Sequence, residues 1–208
     1  MIDIPWRMQH LDRDPRGYPI PFVVLRDTTG QAHFTVNDEA KRMQCFGRDL
    51  CGICGTALTR GRWFVGGPLS AFDPHGIYVD PPMHAECARF ALQTCPYLAA
   101  PHYGRSIAGK SYTPEERAKM NTALVEYTML PERPPLFVAI MAIRQTMHRN
   151  GLATYVAPAR PYRFVEYWRH GQQVPEAQGR AEVAAAVMEF ARQRANTGGT
   201  DERNLHAP

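Results

Sequence analysis

The stretch VDPPMHAECARFALQTCPYL, residues 79–98, places His84 and Cys87 three positions apart, directly after two prolines. Proline is favoured in the first turn of a helix, so we predict that a helix begins near Pro82. Residues three apart in a helix lie on one face, and their side chains can therefore reach the same ion. The stretch predicts half of a metal site at the start of a helix.

A second pair of ligand residues, Cys51 and Cys54, lies upstream in the segment LCGICG. A Cys-x-x-Cys turn can place two thiolates on one ion and is common in structural zinc sites. Between the two pairs, residues 62–65 and 76–79 have the composition of short strands separated by a Gly-Gly-Pro turn. A knuckle, two strands and a helix in this order predict a treble-clef zinc module at residues 48–98.

We predict that one structural Zn²⁺ is bound by four residues, Cys51, Cys54, His84 and Cys87. Three thiolates and one imidazole fill a tetrahedron and leave no position for water, which is typical of structural rather than catalytic zinc. Cys95 is expected outside this shell, because in a continuous helix it lies about 12 Å along the axis from Cys87. Two alternatives stay open: Cys51 and Cys54 form a redox pair, or Cys95 replaces His84.

His84-Ala85-Glu86 also matches the His-x-Glu motif of zinc nucleobase deaminases, in which the glutamate shuttles protons and a Cys-x-x-Cys completes the zinc shell. Two features oppose this interpretation. The Cys pair comes first here, whereas it comes second in that motif, and Leu50 stands where the motif has proline. A zinc-dependent hydrolase or deaminase-like enzyme using Glu86 is the alternative hypothesis.

The second half of the chain is rich in arginine and aromatic residues, with Glu166 as the single acid between Arg144 and His170. Arginine contacts phosphates and aromatic faces stack on bases, but Arg, Tyr and Trp are also favoured anchors of protein interfaces. We therefore predict a surface for a protein or a nucleic acid, without deciding between them. Its residues are Arg144, Arg149, Arg160, Arg163, Tyr167, Trp168 and Arg169.

Ordinary packing favours another interpretation of this segment, in which the aromatic rings enter the core and the arginines surround it. A strand over residues 162–168 would alternate its side chains between two faces. One face would carry Tyr162, Phe164, Glu166 and Trp168, and the other Arg163, Val165, Tyr167 and Arg169.

The remaining composition limits the class of protein. Five cysteines in 208 residues are too few, and odd in number, for a disulfide scaffold. The N-terminal segment is charged where a signal peptide is apolar, and no apolar run approaches the roughly 20 residues that span a bilayer. There is no glycine-rich phosphate loop and no Gly-x-Ser-x-Gly motif. We expect a cytoplasmic protein without a membrane segment.

The predicted fold is α+β: a treble-clef zinc module packed on a small antiparallel sheet with flanking helices. We expect one domain over residues 1–195 and a disordered tail over 196–208. The other predicted elements are a hairpin over 18–36, helices over 38–46, 114–128 and 176–194, and strands over 136–143 and 162–168.

Six segments, DRDPRGYPIPF, LCGICG, FVGGP, DPPMHAECA, PLFV and EYWRHG, lie within residues 11–171. Through them the chain resembles a group of small proteins, without an assigned reaction, in actinobacterial and phage-related genomes. The resemblance implies that the Cys-Cys-His-Cys site organises the fold, and it implies no activity. Our functional hypothesis is a cytoplasmic binding or regulatory protein with a phage-linked role.

Overall fold

The computed structural model describes residues 3–100, 134, 136–151 and 153–196. Its strands are β1 (Val24–Arg26), β2 (Ala32–Asn37), β3 (Arg62–Gly66), β4 (Phe137–Ala142), β5 (Gln145–Asn150), β6 (Ala153–Pro158), β7 (Phe164–Arg169) and β8 (Gln172–Val174). Its helices are α1 (Glu39–Arg48), α2 (Pro68–Phe72), α3 (Ala85–Thr94), α4 (Pro96–Ala99) and α5 (Glu176–Asn196), after a 3₁₀ turn at Trp6–Met8. The predicted mixture of helices and small antiparallel sheets is confirmed.

The largest sheet is antiparallel, with the strand order β3-β4-β7-β8. Its second strand, β4, has the sequence FVAIMA, and Phe137, Val138, Ala139 and Ile140 are all buried. A continuous apolar run is typical of a strand that is covered on both faces. The sheet therefore separates two parts of the core.

Alternation along β7 divides its side chains between these two parts, as predicted for Tyr167 and Trp168. Tyr162 was predicted on the Trp168 face, but it precedes β7 and packs on the Tyr167 face. Trp168 packs on the face that contains the cysteine cluster, together with Trp63 and Phe137. Tyr167 packs on the opposite face with Val138 and with residues of α2, β6 and α5. Because both faces are covered, both rings are buried, with 4% and 5% of Tyr167 and Trp168 exposed. This corrects the prediction that the two rings line a partner-binding surface.

Two local predictions near the N-terminus are confirmed. The hairpin of β1 and β2 turns at Asp27, whose carboxylate accepts hydrogen bonds from the amides of Thr29 and Gln31. Helix α1 begins after Asp38, whose carboxylate accepts a hydrogen bond of 3.1 Å from the amide of Lys41. Aspartate is a strong helix N-cap for this reason.

The segment between the two ligand pairs differs from the prediction. Residues 76–79 do not form a strand; Tyr78 makes one isolated bridge to Val156. Pro68 begins the short helix α2 instead of ending a hairpin turn, because proline fits the first helical position. Strand β3 pairs with β4 and, at Trp63, with Met83 just before α3.

The hairpin of β5 and β6 was not predicted, because QTMHRN has no regular apolar face. Asn150 pairs with Ala153, so the chain turns directly after Asn150 at Gly151, whose φ is 58°. Glycine is favoured in short hairpin turns because it adopts a positive φ without strain. The predicted helix over 114–128 and all of the predicted tail over 196–208 except Asn196 lie outside the described residues. Asn196 is the last residue of α5 and not part of a tail. The single domain over residues 1–195 stays a prediction. None of the helices in the described part of the chain combines the length and the apolar character needed to cross a membrane.

Candidate metal centre

The four predicted ligands are brought together in the core. One ligand atom from each of Cys51, Cys54, His84 and Cys87 lies within 4.8 Å of the others. All four residues are buried, and the histidine, with 9% exposed, is the most accessible of them. A tetrahedral zinc with bonds of about 2.3 Å to sulfur requires sulfur atoms about 3.8 Å apart. The cluster therefore fits a four-coordinate metal ion.

The first pair of ligands lies on a tight loop whose backbone points toward sulfur. The amide of Gly55 donates to the carbonyl of Cys51 at 2.8 Å, and Cys51 donates its own amide to Thr56 at 2.8 Å. The amide of Cys54 donates to the Sγ of Cys51 at 3.5 Å. Gly55 has a φ of 71°, and a Cβ there would collide with the ring of Phe22. The loop therefore requires glycine directly after the second cysteine.

His84 is the N-cap of α3, which begins at Ala85 and not near Pro82 as predicted, and it joins the helix to the loop. Its Nδ1 lies 3.4 Å from the Sγ of Cys54, and its Nε2 lies 3.1 Å from the carbonyl oxygen of Ala57. A carbonyl can only accept, so Nε2 carries the proton and Nδ1 presents a lone pair to the cluster. Histidine ligands of metals usually donate their other ring nitrogen in this way. The amide of His84 also donates to the Sγ of Cys51 at 3.4 Å.

Cys87 completes the cluster from the first turn of α3, where the helix dipole favours a thiolate. The sulfur is fully buried. Buried residues of the 3₁₀ turn, of β3, of α3 and of the segment just before α3 pack around the cluster, namely Met8, Trp63, Met83, Ala88, Phe90 and Leu92. The site therefore lies at the centre of one part of the core, away from water.

The three thiols perturb one another strongly. Hydrogen bonds from the thiols of Cys51 and Cys87 lower the pKa of Cys54. Burial raises the pKa of Cys51 to about 11, and hydrogen bonds to Cys51 and Cys54 raise the pKa of Cys87. Without a bound cation, the cluster therefore favours a state in which only one of the three thiols, that of Cys54, is ionised. A divalent cation would supply the charge that allows all three to ionise.

The other two cysteines lie outside the cluster. Cys95 is the C-cap of α3 and is half-buried, and it lies outside the cluster as predicted. His84 and not Cys95 therefore completes the four-residue cluster. Cys45 is fully buried in α1, and burial raises the pKa of its thiol to about 12.

Glu86, the residue of the alternative enzyme hypothesis, points to the surface. Its carboxylate accepts a hydrogen bond of 2.7 Å from the Nε of Arg7, and 38% of the side chain is exposed. A proton shuttle has to reach a metal-bound water. The ion pair with Arg7 holds Glu86 at the outside of α3 instead.

The predicted arginine surface is only partly assembled. Arg144, Arg149 and Arg163 are exposed, and their side chains form no ion pair within the described residues. Arg160 donates to two backbone carbonyls, and Arg169 forms an ion pair with Glu182. The first three arginines are therefore free to contact a partner.

Sequence reasoning missed the groups that surround the metal ligands. The hydroxyl of Thr56 lies 3.1 Å from the Sγ of Cys54, and His10 contacts the carbonyl of Cys54 at 3.1 Å. A threonine two residues after a ligand cysteine was an available signal for such a contact. His10 is far away in sequence and gave no signal.

No family model, curated protein or solved structure matches the chain, so the functional assignment rests on this geometry.

Proposed function

We propose that the chain is a zinc-stabilised binding or regulatory protein of the cytoplasm, with one structural Zn²⁺ on Cys51, Cys54, His84 and Cys87. The observation behind this proposal is the closed set of four buried ligands, in which Ala57 fixes the orientation of His84. A shell with four protein ligands has no position for a substrate or a reactive water. Zinc in such a site contributes to folding rather than to chemistry.

Residues 48–98 form a module of treble-clef type in this proposal. The Cys51 loop supplies the knuckle, and the bridge between Trp63 and Met83 replaces the second strand of the hairpin. The N-cap residue His84 and the first turn of α3, with Cys87, then supply the second pair of ligands. The order knuckle, antiparallel pairing and helix supports this assignment.

Binding is favoured over catalysis by the environment of Glu86. Glu86, the proton shuttle that the deaminase hypothesis requires, is paired with Arg7 at the surface. The exposed side chains of Arg144, Arg149 and Arg163 offer positive charge to an anionic partner instead. We propose that this surface binds a protein or a nucleic acid, and the resemblance described above adds a phage-linked role.

Retention on immobilised heparin, a polyanion, tests the binding function. We expect the zinc-loaded chain to bind and to elute at clearly lower salt when Arg144, Arg149 and Arg163 are all replaced by glutamate. Exposed surface charges interact with polyanions through counterion release, which salt suppresses. The zinc content should not change, because these side chains have no described partner within the fold.

The matched control reverses three exposed arginines outside residues 143–163, namely Arg13, Arg48 and Arg60. This variant has the same net charge as the first one. Elution close to that of the wild type supports a specific surface. Equal shifts in the two variants, or no shift in the first, would contradict it.

A further inference from the structure

A cleft of about 490 Å³ lies between the link from β4 to β5 and the link from β6 to β7. Three of its lining residues are arginines, Arg144, Arg160 and Arg163, and none of the described residues that line it is acidic. The volume is in the range of ligand-binding pockets. The cleft therefore combines room for a ligand with concentrated positive charge.

Arg160 is fixed in the wall of this cleft. Its Nη2 donates to the carbonyl oxygens of Ala71 and Asp73 at 3.0 and 2.5 Å. Tyr162 donates its hydroxyl to the same carbonyl of Ala71 at 2.7 Å. These acceptors are neutral groups at the end of α2, so they orient the guanidinium without cancelling its charge.

Arg144 and Arg163 are anchored by their backbones and exposed through their side chains. The amide of Ala159 donates to the carbonyl of Arg144, and the amide of Arg163 donates to Met141, both at 2.8 Å. Their side chains are exposed and form no hydrogen bond within the described part of the chain. A planar guanidinium with five donors suits phosphate oxygens particularly well.

The positive charge continues beyond the cleft along β5. Residues 143–163 contain four arginines, His148 and neither Asp nor Glu. Strand β5 pairs only with β6, and no other described strand lies along its second edge. Arg144 directly precedes β5 and Arg149 lies within it, five residues further on, which is about 17 Å at about 3.4 Å per residue. A single phosphate group cannot contact both residues, whereas a chain of phosphates can.

We propose that the cleft and the second edge of β5 bind the phosphodiester backbone of a nucleic acid, independently of base sequence. This partner assignment rests on the binding function proposed above. Tyr167 and Trp168, the predicted aromatic anchors of a protein interface, are buried in the core. Phe164 is exposed but stacks on Trp63 at a centroid distance of 6.2 Å, and Ile143 and Met147 are single exposed apolar side chains among the arginines. The formal charges of residues 143–163 are all positive, which fits contact with phosphates.

The test is fluorescence anisotropy with a labelled single-stranded oligonucleotide of mixed sequence, and with its duplex, over a range of NaCl concentrations. We compare the zinc-loaded wild type with Arg144→Glu/Arg163→Glu. The wild type should bind, and the variant should bind at least tenfold more weakly at low salt. For the single strand, log K of binding should also fall less steeply with log salt. The magnitude of the slope should decrease by about 1.4, because each lost phosphate contact contributes about 0.7.

Two control variants separate charge from folding. Arg144→Lys/Arg163→Lys keeps both charges and should bind within a few-fold of the wild type. Arg13→Glu/Arg48→Glu has the same net charge as the first variant and should bind like the wild type. Loss of binding in the lysine variant or in the surface control would overturn the assignment to this cleft, as would full binding by Arg144→Glu/Arg163→Glu.

Two further ligands identify the partner. Polyglutamate imitates an acidic protein, and inorganic pyrophosphate imitates a small phosphorylated ligand. If polyglutamate binds as tightly as the oligonucleotide and the arginine variant loses both, the nucleic-acid assignment fails while the binding function stands. Displacement of the oligonucleotide by pyrophosphate at equal phosphate concentration also overturns the nucleic-acid assignment. Failure of every polyanion to bind contradicts both proposals.

Discussion

The Nε2 atom of His84 lies 3.1 Å from the carbonyl oxygen of Ala57, three residues beyond Cys54. The loop that carries the first pair of cysteines thus also orients the histidine at the start of α3. Because Nε2 donates to this carbonyl, Nδ1 is left to face the sulfur atoms. Both halves of the metal site are therefore held in position by one loop.

This relationship predicts unequal effects of two substitutions at His84. His84→Ala removes one of four ligands and should lower zinc affinity by more than about 100-fold. Loss of a group that only hydrogen-bonds a ligand lowers metal affinity by about 10–100-fold, so loss of the ligand itself should cost more. His84→Cys restores four ligands and should keep one equivalent of zinc. Competition with a chromogenic chelator measures both affinities. Unchanged affinity in the alanine variant would remove His84 from the shell.

The reactivity of the cysteines should follow zinc occupancy. In the zinc-loaded protein only half-buried Cys95 should react with a thiol reagent at pH 8, because Cys45 is buried with a pKa raised to about 12. Chelation should release the thiols of the three ligand cysteines, and denaturant should then expose Cys45. Mass spectrometry of the labelled peptides assigns each thiol. Labelling of Cys51, Cys54 or Cys87 before chelation contradicts a closed site.

Replacement of Glu86 separates the binding function from the enzyme alternative. Glu86→Ala should keep its zinc and lose about 1 kcal/mol or less in the free energy of unfolding, because the pair with Arg7 is partly exposed. Arg7→Ala should cost a similar amount, and the double variant should cost less than the sum. Denaturant unfolding and zinc content measure these effects. If the wild type has a nucleobase deaminase activity that Glu86→Ala lacks, the enzyme hypothesis is supported and the binding hypothesis is contradicted.

Two glycines should respond to alanine in opposite directions. Gly179 in α5 lies directly against Tyr167, and a Cβ there would overlap the ring. We expect Gly179→Ala to lower the melting temperature, since overpacking costs about 1–3 kcal/mol and exceeds the helix-propensity gain of about 1 kcal/mol. Gly47 lies at an exposed helical position with open space around it. Gly47→Ala should therefore raise the melting temperature, by about 2–4 °C for each kcal/mol added to the free energy of unfolding. An increase in both variants would contradict the packing of α5 on β7.

The sequence predicted the metal ligands because each pair is a local pattern. The spacing of Cys51 and Cys54 and that of His84 and Cys87 each depend on a single loop or helix turn. The segment between them was predicted less well. Strand β3 pairs with β4, about 75 residues further along the chain, and no local pattern contains that pairing.

The fate of the aromatic residues in β7 shows the same limit. Alternation correctly separated Tyr167 from Trp168, but it could not show that both faces of the strand are covered. One face is covered by the metal cluster and α3, and the other by elements that include α5. Burial of both rings therefore depends on how distant elements pack on β7, and a local sequence pattern does not carry that information.

Zinc content together with X-ray absorption at the zinc edge of the purified chain tests the closed four-ligand site. We expect one equivalent of zinc with three sulfur ligands at about 2.3 Å, one nitrogen at about 2.0–2.1 Å and no water. A shell with fewer sulfurs and a water oxygen, or a folded protein that takes up no zinc, would contradict it.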